Sequence, residues 1–223
     1  MGKQILIDGS QPLIELTCAA NEELDVVVIL KDSTKVKCVA QLQADSVIRW
    51  HSAILGGNVE CEIITHHLGN GSSSEHTGIF VGHQHDKFVL NYWSEHVGEH
   101  TTGHITVHGV LFDSAYTDFK VNVKILKSAT HTTASLTEHT LLLGDKARSD
   151  AVPQLDIQTN AVQAAHSSGI SRIDAEQLFY CASRGISKEL AEQMIVRGFL
   201  AECITNPTIQ QLIDDRLPYH DLL

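Results

Sequence analysis

The feature that most restricts the fold is a recurrence of about thirty residues with no helical patterning. His67-Leu68-Gly69 returns as His96-Val97-Gly98 twenty-nine residues on, and His100-Thr101-Thr102 returns as His131-Thr132-Thr133 thirty-one residues on. Asp86-Lys87-Phe88 matches Thr117-Asp118-Phe119 more loosely, again at thirty-one residues. Short β-like segments fill the region, at 26–30, 35–40, 47–54, 59–65, 78–82, 88–93, 103–111 and 118–125. The last is the cleanest: Phe119, Val121, Val123 and Ile125 alternate with Lys120, Asn122 and Lys124, as one buried strand face requires. The intervening turns are rich in Gly, Asn, Ser, Thr and Asp. Upstream, short apolar pieces around Ile5 and Ile7 and from Leu13 to Cys18 flank a turn at Gly9-Ser10. A period in this range implies stacked β units, either a solenoid or a propeller. The region is barely long enough for the four blades of about forty residues that a propeller needs. Evenly spaced strands also suit a sandwich. The pattern alone therefore gives an all-β body with the solenoid as one option.

The chain changes character across residues 141–187. Leu141-Leu142-Leu143 ends at the turn pair Gly144-Asp145, and Pro153 opens an alternating segment with Leu155 and Ile157 on one side. The period shifts after Val162 and His166, which puts His166 at the end of the final strand, at a rim before the turn Ser167-Ser168-Gly169. Ser171 and Asp174 can cap a helix carrying Ala175, Leu178, Phe179 and Ala182, which Gly185 stops. Ser187 caps a second helix, in which Ala191, Met194, Ile195, Gly198, Phe199 and Cys203 form one stripe opposite Lys188, Glu189, Glu192 and Gln193. Asn206-Pro207 starts a third through Ile209, Leu212, Ile213 and Leu217. The reading is a β core over residues 1–170 and a helical segment over 171–223, with the helices expected across the open end of the solenoid, whose last edge needs cover.

Composition narrows the function classes. Sixteen basic against twenty-seven acidic residues leave a formal charge of −11, the wrong sign for gripping a nucleic-acid backbone. No apolar run approaches the length of a membrane span, and the start MGKQILIDGS lacks a signal-peptide core, so a cytoplasmic protein is expected. The five cysteines are an odd set, the nearest two lying twenty residues apart, with no CxxC pair. They read as reduced, buried thiols acting as small apolar residues.

Three pieces in order carry a family resemblance: LLLGDKARSDAVPQLDI (141–157), His166 before its small-residue run, and QLFYCASRGIS (177–187). Together they resemble the C-terminal core of the SufB/SufD family, scaffold subunits of the SUF iron–sulfur cluster assembly machine. The resemblance implies a right-handed parallel β-helix (solenoid) followed by a small C-terminal helical cap, and a non-enzymatic function. It also implies two partners: a SufC-type ABC ATPase docked through the tail helices, and a SufB-type subunit, or a second copy of this chain, paired through the β-helix. Leu178, Phe179, Tyr180, Ser183, Arg184 and Gly185 become the ATPase-facing surface. His166 becomes an interface ligand for a nascent cluster, bound in passing, with no stably held cofactor. The chain looks SufD-like. Ala164 stands where the usual SufD pattern has a cysteine, and Ser167-Ser168-Gly169 where it has Gly-Ala-Thr. Ala147 occupies the place assigned to the SufB cysteine, and Ser167 that of the SufB glutamate. Thiolate ligands would therefore come from the partner. Family members run longer, with an N-terminal helical domain outside this sequence.

A reading from another class is a β-helical carbohydrate-active or metal-binding enzyme using the histidine-rich segment. Ten of the fourteen histidines lie between His51 and His108. His96, His100, His104 and His108 would line one face of a helix, but their neighbours are poor helix formers. His83 and His85 would share a strand face and so could chelate. Hydrogen-bonded or exposed imidazoles are the plainer expectation, titrating near neutrality. There is no GxSxG, and the turns at Gly56-Gly57 and Gly69-Asn70-Gly71 lack the ending of a phosphate-binding loop. Asp45, Glu60, Glu62 and Asp86 would have to converge on one groove to cleave a polysaccharide.

Overall fold

The computed structural model describes residues 3–216, with the side chains of 214–216 left aside; Leu217 lies outside the described residues. Thirteen strands and three helices follow one another: β1 Lys3–Ile7, β2 Leu13–Cys18, β3 Glu23–Leu30, β4 Thr34–Leu42, β5 Val47–Ile54, β6 Asn58–His67, β7 Ser73–Gly82, β8 Lys87–His96, β9 Thr102–Leu111, β10 Tyr116–Ile125, β11 Thr132–Leu142, β12 Arg148–Ile157, β13 Val162–Ser171, then α1 Ala175–Ser183, α2 Lys188–Ala201 and α3 Pro207–Arg216. Odd strands form one sheet in the order β1-β3-β5-β7-β9-β11-β13, and even strands a second in the order β12-β10-β8-β6-β4-β2. Every pairing is parallel, with each strand one coil from its neighbour. This is a parallel β-solenoid, which removes the sandwich and the propeller. All eight segments read as β-like are strands, most of them longer by a few residues.

The recurrence in the sequence is the coil itself. Val26, Trp50, His76, Ile105, Leu136 and His166 stand in register as one inward row. His67 stacks on His96 at 4.2 Å, and the Thr101 and Thr132 hydroxyls bond at 2.8 Å. One corner of each coil passes through the left-handed region, at Asn21, Asp45, Gly71, His100 and His131. Four of these five are Asn, Asp or His, types that tolerate such a turn, so the corner is chosen by side-chain chemistry as well as by glycine. Each then donates its backbone N–H to the next coil, as in Asp45 to the Asn70 carbonyl at 2.9 Å.

The two outer faces differ. On the even sheet the ladder is charged and solvated, with Lys35–Glu60 at 2.6 Å and Lys37–Glu62 at 2.7 Å. On the odd sheet Val27, Ile29, Ala53, Leu55, Ile79, Val81, Val110 and Leu141 point outward and are buried under Val196, Leu200, Cys203, Ile209 and Ile213 of the tail. The tail is helical as expected, but it caps this flank of the solenoid and leaves the open end bare. The stripe of α2 differs accordingly: Ala191, Gln193, Val196 and Leu200 are the buried positions, while Met194 is exposed. The outer apolar face of five strands offers more area than the end of one coil, and that decides where the helices settle. His108 fixes the contact: its Nδ1 lies 2.7 Å from the Phe199 carbonyl and its ring stacks on that phenyl at 4.4 Å. Among the described residues no helix is long and apolar enough to cross a membrane.

Candidate functional site

The last coil, like the first at the opposite end, has a strand neighbour on one side only and so exposes a row that the middle coils hide. Alternation sends Val162, Ala164, His166, Ser168 and Ile170 of β13 inward, above Thr132, Ala134, Leu136, Glu138 and Thr140 of β11. Ser149, Ala151, Pro153, Leu155 and Ile157 of β12 lie likewise above β10. The covered rows are fully buried, yet Ile157 is 40% and Ile170 44% exposed, because no further coil sits on them. β12 and β13 each have a single strand neighbour, so a row of backbone donors and acceptors is free at this end.

His166 belongs to this surface, though not as the sequence reading placed it. It lies inside β13, which continues through Ser167-Ser168-Gly169 to Ser171; the small residues form strand and no turn. Pairing with β11 overrides their turn preference, since Ser167 aligns with Thr137 and Gly169 with His139. The imidazole is exposed directly above Leu136. Beside it lies a group the sequence reading missed. Glu138 is inward-facing and 1% exposed, and its carboxylate accepts from Thr140 Oγ1 and, at 2.8 Å, from the Ser168 hydroxyl. Carrying the thirty-one-residue period on from Val107 would have revealed a glutamate in an otherwise uncharged row.

α1 is the second exposed feature. Asp174 caps it by accepting from the Glu176 N–H at 2.9 Å, and Gly185 ends it at φ +80°. None of its residues is buried. Phe179 is 77% and Tyr180 61% exposed, which excludes the alternative that they fill a helical core. Leu178 is half-buried; Ser183, Arg184 and Gly185 are exposed. The Ser183 hydroxyl donates to the Tyr180 carbonyl at 2.7 Å, and the Arg184 guanidinium lies 5.3 Å from the Tyr180 ring centre. The helix thus presents two aromatics and a cation at its C-terminal end, where the dipole favours positive charge.

The remaining candidates are structural. Among the described residues no group of three or more His, Cys, Asp or Glu could hold a metal ion. His83 and His85 sit in the turn after β7, where the His83 ring stacks on Phe112 at 4.5 Å and His85 Nδ1 lies 2.8 Å from the Ser114 hydroxyl. His76 and His96 do not titrate near neutrality: burial lowers them to about 3 and about 4. Burial and the adjacent His96 hold His67 well below the ordinary range. Cys18, Cys38, Cys61 and Cys203 are buried free thiols, and burial pushes Cys38 and Cys203 up to about 12. The scattered carboxylates do not converge. Glu60 and Glu62 pair with lysines on the even sheet, while Asp86 accepts from the backbone N–H groups of Gly57 and His83.

An open-ended β-solenoid followed by an exposed helix α1 agrees with the sequence comparisons. The family described as "SUF system FeS cluster assembly, SufBD core domain" matches residues 10–199. This chain belongs to the SufB/SufD family. It is SufD-like: it is 34% identical over 167 residues to the iron–sulfur cluster assembly protein SufD of Bacillus subtilis, covering 74% of this chain and 38% of that protein. SufD of Escherichia coli is 30% identical over 162 residues, covering 72% of this chain and 38% of that protein. A SufBD family protein of Mycobacterium bovis is 30% identical over 182 residues, covering 78% and 46%. The chain spans less than half the length of these relatives.

Within the SufB/SufD frame, the structure also locates Ala147. It is packed in the main core at the corner that opens β12, where Arg148 N–H donates to the Ala115 carbonyl at 3.1 Å. Ala147 precedes β12 of the even sheet, whereas His166 lies in β13 of the odd sheet, so the β11–β13 ladder does not bring the two together.

Proposed function

We propose that this chain is a non-catalytic scaffold subunit of SUF iron–sulfur cluster assembly. The observation that carries the reading is the pairing of an uncovered last coil with an uncovered aromatic helix in a SufD-like chain. The coil end would pair with a SufB-type subunit or a second copy, and α1 would dock an ABC-type ATPase through Phe179, Tyr180 and Arg184. A nascent cluster is the cargo of this reading: His166 would offer one neutral nitrogen to iron, a chemically competent ligand, and the thiolates would come from the partner. The free edges of β12 and β13 and the half-exposed Ile157 and Ile170 support pairing at that end.

The test is co-purification under reducing, anaerobic conditions with an ABC-type ATPase and a SufB-type subunit. A chain that captures neither overturns the reading. Arg184→Glu should abolish ATPase capture with circular dichroism and melting unchanged, since it reverses an exposed charge and loses only a surface cation–π contact. His166→Ala should stay within about 1 kcal/mol of the parent in stability while lowering cluster yield in the reconstituted complex.

A further inference from the structure

Glu138 stands out in an otherwise neutral interior row. Its register partners are Val107 in the coil below and Ser168 in the coil above. Among the described residues its bonds are to the hydroxyls of Thr140 and Ser168, with no lysine, arginine or histidine in ion-pair contact. A carboxylate taken out of water without a cation is costly, and two neutral donors offset only part of that cost. Such a group persists where something else completes its surroundings.

The position says what that would be. Glu138 lies one coil below the open end, and the Ser168 hydroxyl on its Oε2 belongs to an exposed residue. Leu136 pairs with His166 and Glu138 with Ser168, so Glu138 and His166 are diagonal neighbours on one sheet face. Side chains so related are about 7–8 Å apart at their Cα atoms, a gap that a long carboxylate and an imidazole can close on a shared ion. We propose that Glu138 and His166 form a two-donor half-site for a divalent first-row cation at the open end, with Ser168 holding the carboxylate in place when the ion is absent. One imidazole nitrogen and one carboxylate, with no thiolate, suit ferrous iron better than a soft ion. The naming of iron rests on the proposed scaffold function; the cation site itself rests on the geometry.

Anaerobic equilibrium dialysis of the full chain against ferrous iron, with metal analysis, tests this. Saturable binding is expected, weakened at least about tenfold by Glu138→Gln and by His166→Ala, the scale on which metal sites respond to loss of a supporting group. Glu60→Gln, a surface control, should bind as the parent does. Urea unfolding without metal separates misfolding from ligand loss: Glu138→Gln should be at least as stable as the parent, because it removes a buried charge and keeps the shape. Absence of saturable binding, or unchanged binding by Glu138→Gln, overturns the proposal. Capture of the ATPase or the SufB-type subunit is scored on the same preparations. Normal capture with Glu138-independent binding defeats the cation site alone. Failed capture with Glu138-dependent binding defeats the scaffold reading and leaves the site standing.

Discussion

Helices α1 and α2 are written with the same local signals and meet opposite fates. Each opens on a side-chain cap, Asp174 or Ser187, and each carries apolar residues at helical spacing. Yet α2 buries Val196 and Leu200 against the odd sheet, whereas α1 buries nothing and holds Phe179 and Tyr180 in solvent. The same division runs through the strands. Middle coils are covered above and below, and the last coil is covered on one side only. Local signals specify that a helix or strand forms, and the available apolar area decides which of them finds cover inside the chain.

The widest separation between the two regions should come from acid. His67, His76 and His96 are inside the middle coils and neutral, with folded pKa values depressed below the ordinary 6.5. Between that value and the depressed ones the unfolded chain binds protons that the folded chain refuses. Their contribution is therefore complete above pH 6.5 and declines as pH falls towards 4, by about 1 kcal/mol per pH unit for each histidine. Urea unfolding at pH 7.5 and pH 5 should show a loss of several kcal/mol, and a flat profile would contradict the buried, neutral assignment.

Leu200→Ala should come next, at about 2–5 kcal/mol, because it opens a cavity between α2 and the sheet. A smaller change measured by chemical denaturation would mean that the helix is held elsewhere. Gly109→Ala should cost about 1–3 kcal/mol. A methyl group there would stand 1.9 Å from the Phe80 ring, so the phenyl has to move. The smallest effect belongs to the bare region: Phe179→Ser should change stability by less than about 0.5 kcal/mol, and a larger loss on thermal melting would show that the phenyl is packed within the chain.

Much of this was legible in the sequence. The alternation of Phe119 through Ile125, the thirty-residue recurrence, and the caps at Asp174, Ser187 and Asn206 all correspond to observed elements. What escaped was information held between coils. Ser167-Ser168-Gly169 reads as a turn until β11 is laid alongside it. The stripe through Met194 and Ile195 competes with that through Val196 and Leu200, and only the apolar outer face of the odd sheet selects between them. Glu138 is an ordinary acidic residue until the register places it over Val107. His166 and the exposed aromatics of α1 were found through family resemblance, since composition and spacing alone do not separate them from structural residues.

The join between β13 and α1 has a mechanical consequence. Only Arg172, Ile173 and Asp174 separate the strand from the helix, a slack of about 10 Å at full stretch. Arg172 tethers that link to the Gly144 carbonyl at 3.4 Å and to Asp145 at 3.7 Å. A force applied to α1 is therefore shared between this clasp and β13, a strand gripped along one side only. If the clasp yields, the pull reaches the strand that carries His166 and the Ser168 hydroxyl, and peeling begins there and not in the coils behind it.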